Sequence, residues 1–140
     1  MLNELLSRGE LAKRCGINPE TLRFYERERL LPLPARRANG YRQYTEETAA
    51  RVRFIRRSQS VGFTLDEIRQ LLALQDGVRE GVCGDVRGMV QDKLHHIERQ
   101  LAHLHTLQRV LSAYLEDCPG GDEPLTCCPI LAAFSDGDPG

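Results

Sequence analysis

The chain has 140 residues, about one domain's worth, yet its 41% hydrophobic content includes only 6% aromatic residues and no Trp. That composition argues against a single large globular core and favours helices buried against a partner. The net charge of −1 conceals an asymmetry, because residues 1–75 hold 14 Lys and Arg against 9 Asp and Glu, whereas residues 76–140 hold 5 against 11. All the front cations except Lys13 are Arg, the side chain suited to bidentate phosphate and guanine contacts, so the front half is expected to meet a polyanion.

No run of 18 apolar residues exists, and MLNELLSRGE has an early acid and no apolar stretch. Neither a membrane span nor a secretory signal is expected, which places the protein in the cytoplasm with no membrane partner. In a reducing compartment an odd count of five cysteines argues against a disulfide framework and leaves metal binding, redox sensing or plain burial.

In chain order, RGELAKRCGINPETLRFYERERLLP predicts two short helices around a tight turn. Leu11, Ala12 and Cys15 form an apolar stripe, Gly16-Ile17-Asn18 breaks it, and Asn18-Pro19 supplies an N-cap and first residue for a second helix. This is a helix-turn-helix pattern. Its second helix carries Thr21, Arg23 and Tyr25 near the front, as a major-groove reader needs, with Leu22 and Phe24 for the inward face. Pro32 and Pro34 end the helical pattern, and Asn39-Gly40 between Arg36-Arg37 and Tyr41-Arg42 predicts a hairpin, a small wing whose arginines reach phosphates. A capped start at Thr45 opens a helix with Val52, Phe54 and Ile55 inward, and its Arg51, Arg53, Arg56 and Arg57 cannot all face one way. Thr64 with Glu67 predicts a capping box for a shorter helix that closes near Asp76-Gly77.

Residues 8–74 resemble the winged-helix DNA-binding domain of the MerR family of bacterial transcription regulators, through TLRFYE, NGYRQY, RVRFI and VGFTLDEI in that order. The resemblance implies a homodimer on double-stranded promoter DNA with a long spacer, where an effector turns repression into activation by RNA polymerase by distorting the DNA. It assigns DNA contacts to Arg23, Tyr25, Arg36, Tyr41, Arg42 and Arg56. One departure is Arg29, where the family usually has Gly after the recognition helix. If the backbone there keeps a positive φ, a non-Gly residue costs roughly 1 kcal/mol, and a slightly remodelled helix end is expected.

From Asp85 to Glu116 there is no Pro and the only Gly is Gly88. Val90, Leu94, Ile97, Leu101, Leu104, Leu111 and Leu115 form a heptad seam interrupted at Gln108, too long for the front domain to cover, so two chains are expected to pair along it. Cys83 and Cys118 fall on the same seam, five heptads and roughly 50 Å apart at 1.5 Å per residue, so one chain cannot bring them to one ion. Antiparallel pairing sets Cys83 beside the Cys118 position of the partner, and the loop GGDEPLT curls Cys127 or Cys128 back to the same point. Three thiolates suit Hg(II), Cd(II), Pb(II), Zn(II) or Cu(I), and not Mg or Ca.

Cysteines at the start and end of the long helix and after a short loop also resemble the family's metal-sensing branch. There a cysteine at the position of Cys83 goes with divalent metals, whereas copper(I) sensors have Ser, which makes Cu(I) the second choice although CPG and CPIL are copper-sensor-like. The nine-residue step from Cys118 selects Cys127 as third ligand, while Pro129-Ile130-Leu131 aligns Cys128 with the family's loop cysteine, so both stay open, as does a fourth thiolate. Cys15 is expected to be structural, His95, His96, His103 and His105 to be solvated helix surface, and Asp117, Asp122 and Glu123 to be loop charge, with an oxygen or histidine ligand left open.

The expected architecture is mainly α: a winged helix-turn-helix DNA-binding domain (1–75), a linker and long antiparallel coiled-coil dimerisation helix (76–117), and a metal-binding loop, short helix and tail (118–140). An enzyme is not expected, because neither coil nor tail offers a cleft with convergent His or acidic partners. A regulator sensing a redox signal or a small molecule is the rival, and only Tyr114 and Phe134 are aromatic after residue 75.

Overall fold

The structure, a computed structural model, describes residues 5–32 and 43–136. Two compact units divide the chain, Met1–Val86 and Arg87–Gly140. The described residues of the first carry α1 (Arg8–Cys15), α2 (Pro19–Arg27), α3 (Glu46–Ser60), α4 (Leu65–Gln75) and the start of α5 (Cys83–Asp117). The rest of α5, a 3-10 turn over Leu125–Cys127 and α6 (Pro129–Asp136) belong to the second. The chain is mainly helical, and among the described residues β structure is limited to one antiparallel bridge, Leu6 to Tyr44.

Local chemistry sets each boundary in the first unit. Ser7 and Glu10 close a capping box on α1, whose end is fixed by Gly16 at φ 66 and by the Ile17 N–H donating to Ala12 at 2.9 Å. Asn18 accepts from the Glu20 N–H at 2.9 Å and Pro19 begins α2, so three residues suffice to turn one helix into the next. Thr45 caps α3, and the expected Thr64–Glu67 capping box opens α4. Leu11, Leu22, Leu30, Val52, Ile55 and Ile68 are at most 1% exposed and bind α1 to α4 into one core. Full burial of such side chains contributes about 1.5–3 kcal/mol each.

At Arg29 the helix end is not remodelled. The residue keeps a left-handed φ of 59, its N–H donates to Glu26 at 3.1 Å and the Leu30 N–H to Tyr25 at 2.9 Å, the closing bonds that a glycine normally makes there. Two guanidinium groups hold the carbonyls on either side: Arg69 donates to the Glu28 oxygen at 2.7 and 3.1 Å, and Arg51 to the Leu30 oxygen at 2.9 Å. Surrounding bonds thus impose a conformation that a side chain disfavours.

In the second unit the chain reverses at Gly120 and Gly121, both with positive φ (69 and 65), and α6 returns so that Phe134 meets Tyr114 edge-to-face at 5.3 Å. No described residue of this unit is buried.

Candidate functional site

The α2 helix buries Leu22, Tyr25 and Glu26, a stripe at i, i+3 and i+4, and turns Arg23 and Arg27 outward. Thr21 is half-buried. Arg23 is exposed and pairs with Glu20 at 2.5 Å, a surface contact weak enough to be exchanged for a phosphate or a base edge. Tyr25 departs from its expected place. It is 3% exposed and its hydroxyl donates to Gln59 Oε1 at 2.7 Å, so the ring belongs to the core. Phe24, expected inward, is only partly buried against that core. Burial pushes the Tyr25 phenol above its ordinary range, with Arg56 pulling the other way.

The arginines of α3 divide by job. Arg51 is half-buried and holds Asp76 through both carboxylate oxygens at 2.8 and 3.0 Å, besides the Leu30 carbonyl, so it braces α3 against the end of α4. Arg53, Arg56 and Arg57 are exposed, and Arg56 donates to the Gly16 carbonyl at 3.1 Å, in the turn between α1 and α2. Arg36, Tyr41 and Arg42 lie outside the described residues.

The pattern of the sequence did not expose one buried polar network. Tyr44, 1% exposed, donates to the Glu26 carboxylate, and Arg8 donates to the same phenol at 3.2 Å while its second nitrogen lies 3.6 Å from Glu26. Partners 18 and 36 residues apart leave no periodic signal.

The cysteines separate into three kinds. Cys15 packs partly against the core with its thiol directed at the Ala49 carbonyl, 3.8 Å away, and burial raises its pKa. Cys128 immediately precedes α6, and there the backbone N–H groups of Leu131 and Ile130 and the Cys118 thiol act on its sulfur. The Leu131 N–H is the largest influence and the thiol pKa falls below its ordinary value, the behaviour of a cysteine at a helix N-terminus. Cys127, by contrast, is exposed, and among the described residues its thiol meets only the Thr126 hydroxyl, at 4.0 Å. Cys83 is exposed and opens α5, at the other end of the helix that Cys118 follows. Among the described residues of one chain, no three His, Cys, Asp or Glu side chains gather to hold a metal. The Cys118–Cys128 pair is nevertheless a soft donor set with one thiol biased toward thiolate, which fits a thiophilic ion.

The seam of α5 is open along its length. Val90, Leu94, Leu101, Leu104, Leu111 and Leu115 are between 50% and 75% exposed, and Ile97 is half-buried. His95, His96, His103 and His105 are exposed, as expected of solvated helix surface. Contiguous apolar surface on this scale marks a protein interface. Among the described residues no helix is long and apolar enough to cross a membrane.

Comparison with known proteins gives matches over both units. Residues 6–75 match the MerR HTH family regulatory protein model, and residues 49–114 match the MerR DNA-binding model. The mercuric resistance operon regulatory protein of Bacillus cereus is 42% identical over 123 residues, 88% of this chain and 92% of that protein. The transcriptional regulator ZntR of Escherichia coli is 35% identical over 132 residues, 94% of each chain. Among solved structures, the transcription regulator PbrR691 from Ralstonia metallidurans in complex with lead(II) superposes with a TM-score of 0.83 at 37% identity, covering 92% of this chain and 98% of that one.

Proposed function

Since the chain belongs to the MerR family of DNA-binding transcription regulators, we propose that it is a metal-responsive member of it. In this reading a homodimer on promoter DNA switches from repressor to activator, with RNA polymerase as the recipient, when a soft ion binds. That ion is divalent Hg, Cd, Pb or Zn, with Cu(I) as second choice. Residues 1–75 read DNA through Thr21, Arg23 and Arg56 and through Arg36, Tyr41 and Arg42, while residues 76–117 pair two chains antiparallel and residues 118–140 carry the metal loop.

One observation carries the reading: Cys118 and Cys128 converge at one end of α5 while Cys83 waits, exposed, at the other. Two thiols in one chain leave Zn(II), Cd(II) or Pb(II) short of donors, and antiparallel pairing brings Cys83 of the second chain to the same point. Of the two loop thiols, the helix-terminal position of Cys128 supports it over Cys127 as the third ligand. The named metals of the relatives, mercury in the Bacillus cereus protein and lead in the solved complex, support the same ligand class. A shift from 1:99 to 99:1 between two dimer geometries needs about 5.5 kcal/mol of differential affinity, within reach of thiolate–metal bonds that form in one geometry only.

Anaerobic titration of the reduced protein with Hg(II), Cd(II), Pb(II), Zn(II) and Cu(I), read by ligand-to-metal absorption and in-vitro transcription together, tests it. The expected result is one ion per subunit with transcription switched on, both lost in Cys83→Ser and Cys128→Ser and both kept in Cys127→Ser. Normal induction in Cys83→Ser would end the intersubunit model. Induction by an oxidant or an organic effector, with no metal bound, would favour the rival sensor.

A further inference from the structure

We infer that Gln59 is a DNA-contacting residue held in position by the buried Tyr25 hydroxyl, an inference that rests on the reading of α2 and Arg56 as DNA-facing. Three features lead there. Gln59 is exposed, yet its Oε1 is fixed at 2.7 Å by the phenol of a residue that is itself only 3% exposed, so the carboxamide is oriented from inside the domain. Its amide nitrogen has no hydrogen-bond partner among the described residues, leaving two donors directed away from the accepting oxygen. It stands one turn beyond Arg56, whose guanidinium reaches the Gly16 carbonyl in the helix-turn-helix turn and acts on the Tyr25 phenol. Gln59, Arg56 and the turn therefore occupy one edge of the domain, where the first part of a helix-turn-helix crosses the DNA backbone.

The chemistry suits a phosphate oxygen. A preset amide donor loses little rotamer freedom on binding, and it complements the Arg56 charge with a directional bond that fixes register and not sequence. This assigns Tyr25 a positioning role in place of a direct contact, and it explains why a tyrosine in a core position needs its hydroxyl.

The test uses the full-length dimer on its promoter duplex, with affinity measured by fluorescence anisotropy across salt concentrations and folding checked by circular dichroism. Gln59→Ala is expected to weaken binding about tenfold for each of the two copies, the scale of one hydrogen bond to a charged group, and so about a hundredfold for the dimer. Tyr25→Phe is expected to lose a similar factor, and the double variant no more than either alone, because one feature is removed twice. Gln59→Lys supplies a readout that a purely structural role would not move. The slope of log K against log salt should steepen by about 0.9 for each new phosphate contact, two per dimer. Wild-type affinity in Gln59→Ala, additive losses in the double variant, or an unchanged slope in Gln59→Lys would each overturn the inference. Arg23→Ala is the control: if it too binds as wild type, the assignment of α2 has failed, whereas a loss there beside a silent Gln59 condemns this inference alone.

Discussion

The two units solve the problem of apolar surface in opposite ways. In the first, four short helices with fitted caps close over Leu11, Leu22, Ile55 and Ile68, which are fully buried. In the second, a seam of comparable apolar content remains half to three-quarters exposed on α5, and no described residue is buried. A chain that completes one core and leaves another open carries its quaternary structure as an unfilled requirement. The front unit encloses its own core, whereas the rear unit leaves its apolar seam open.

That contrast can be broken most forcefully at the seam. Leu104→Asp removes about 2 kcal/mol of burial from each chain and introduces a charge that pairing would desolvate, so dimer dissociation should rise by at least about 1,000-fold. Sedimentation equilibrium should show monomers whose front unit still melts cooperatively. If Leu104→Asp left the dimer intact, the seam would not be the interface. Within the closed unit the effect should be local. Ile55→Ala, at a fully buried position, should cost about 2–5 kcal/mol and lower the first thermal transition without dissociating the dimer.

A smaller effect sharpens the comparison through pH. Burial, and then the bond to Glu26, raise the Tyr44 phenol above its ordinary value, and burial does the same to Tyr25. Both phenols hold their protons longer folded than unfolded. Their stabilisation is therefore complete below about pH 10 and is lost as the pH climbs through the raised values. Urea midpoints of the front unit should fall on the alkaline side, and less so in Tyr44→Phe. A midpoint flat to pH 11 would contradict this. The least change is expected at Arg29, where glycine would relieve the left-handed conformation. Arg29→Gly should stabilise by about 1 kcal/mol or less, visible as a small rise in the urea midpoint.

Much of this was legible in the sequence because the signals are local. Asn18-Pro19, Thr64 with Glu67, and Asp76-Gly77 each fix a boundary within four residues, and the structure places boundaries at those positions. The heptad seam was equally plain, since its period needs only one helix. Phe24 and Tyr25 were harder, because in a nine-residue helix either ring can be turned inward. The i, i+3, i+4 relation of Leu22 to Tyr25 and Glu26 held the correct choice, and the polar ends of Tyr and Glu obscured it. The different settings of Cys127 and Cys128 were readable too, since Pro129 favours the first position of a helix and so puts Cys128 at its N-terminus. The Tyr44–Glu26–Arg8 network and the Arg51 and Arg69 braces lay beyond reach, because they join residues 18 to 41 apart that only the closed core brings together.

If the proposed intersubunit site is the metal site, the thiols at opposite ends of one uninterrupted helix have a genetic consequence. A Cys83→Ser chain and a Cys118→Ser chain would each be silent as homodimers, because every site in them lacks a donor. Co-expressed, they would form a mixed dimer in which one end unites the surviving Cys83 of the first-site-competent chain with the surviving Cys118 of the other, and the opposite end lacks both. Two dead alleles would then complement each other, and the strength of the restored response would measure whether half an occupied dimer is enough to turn a promoter on.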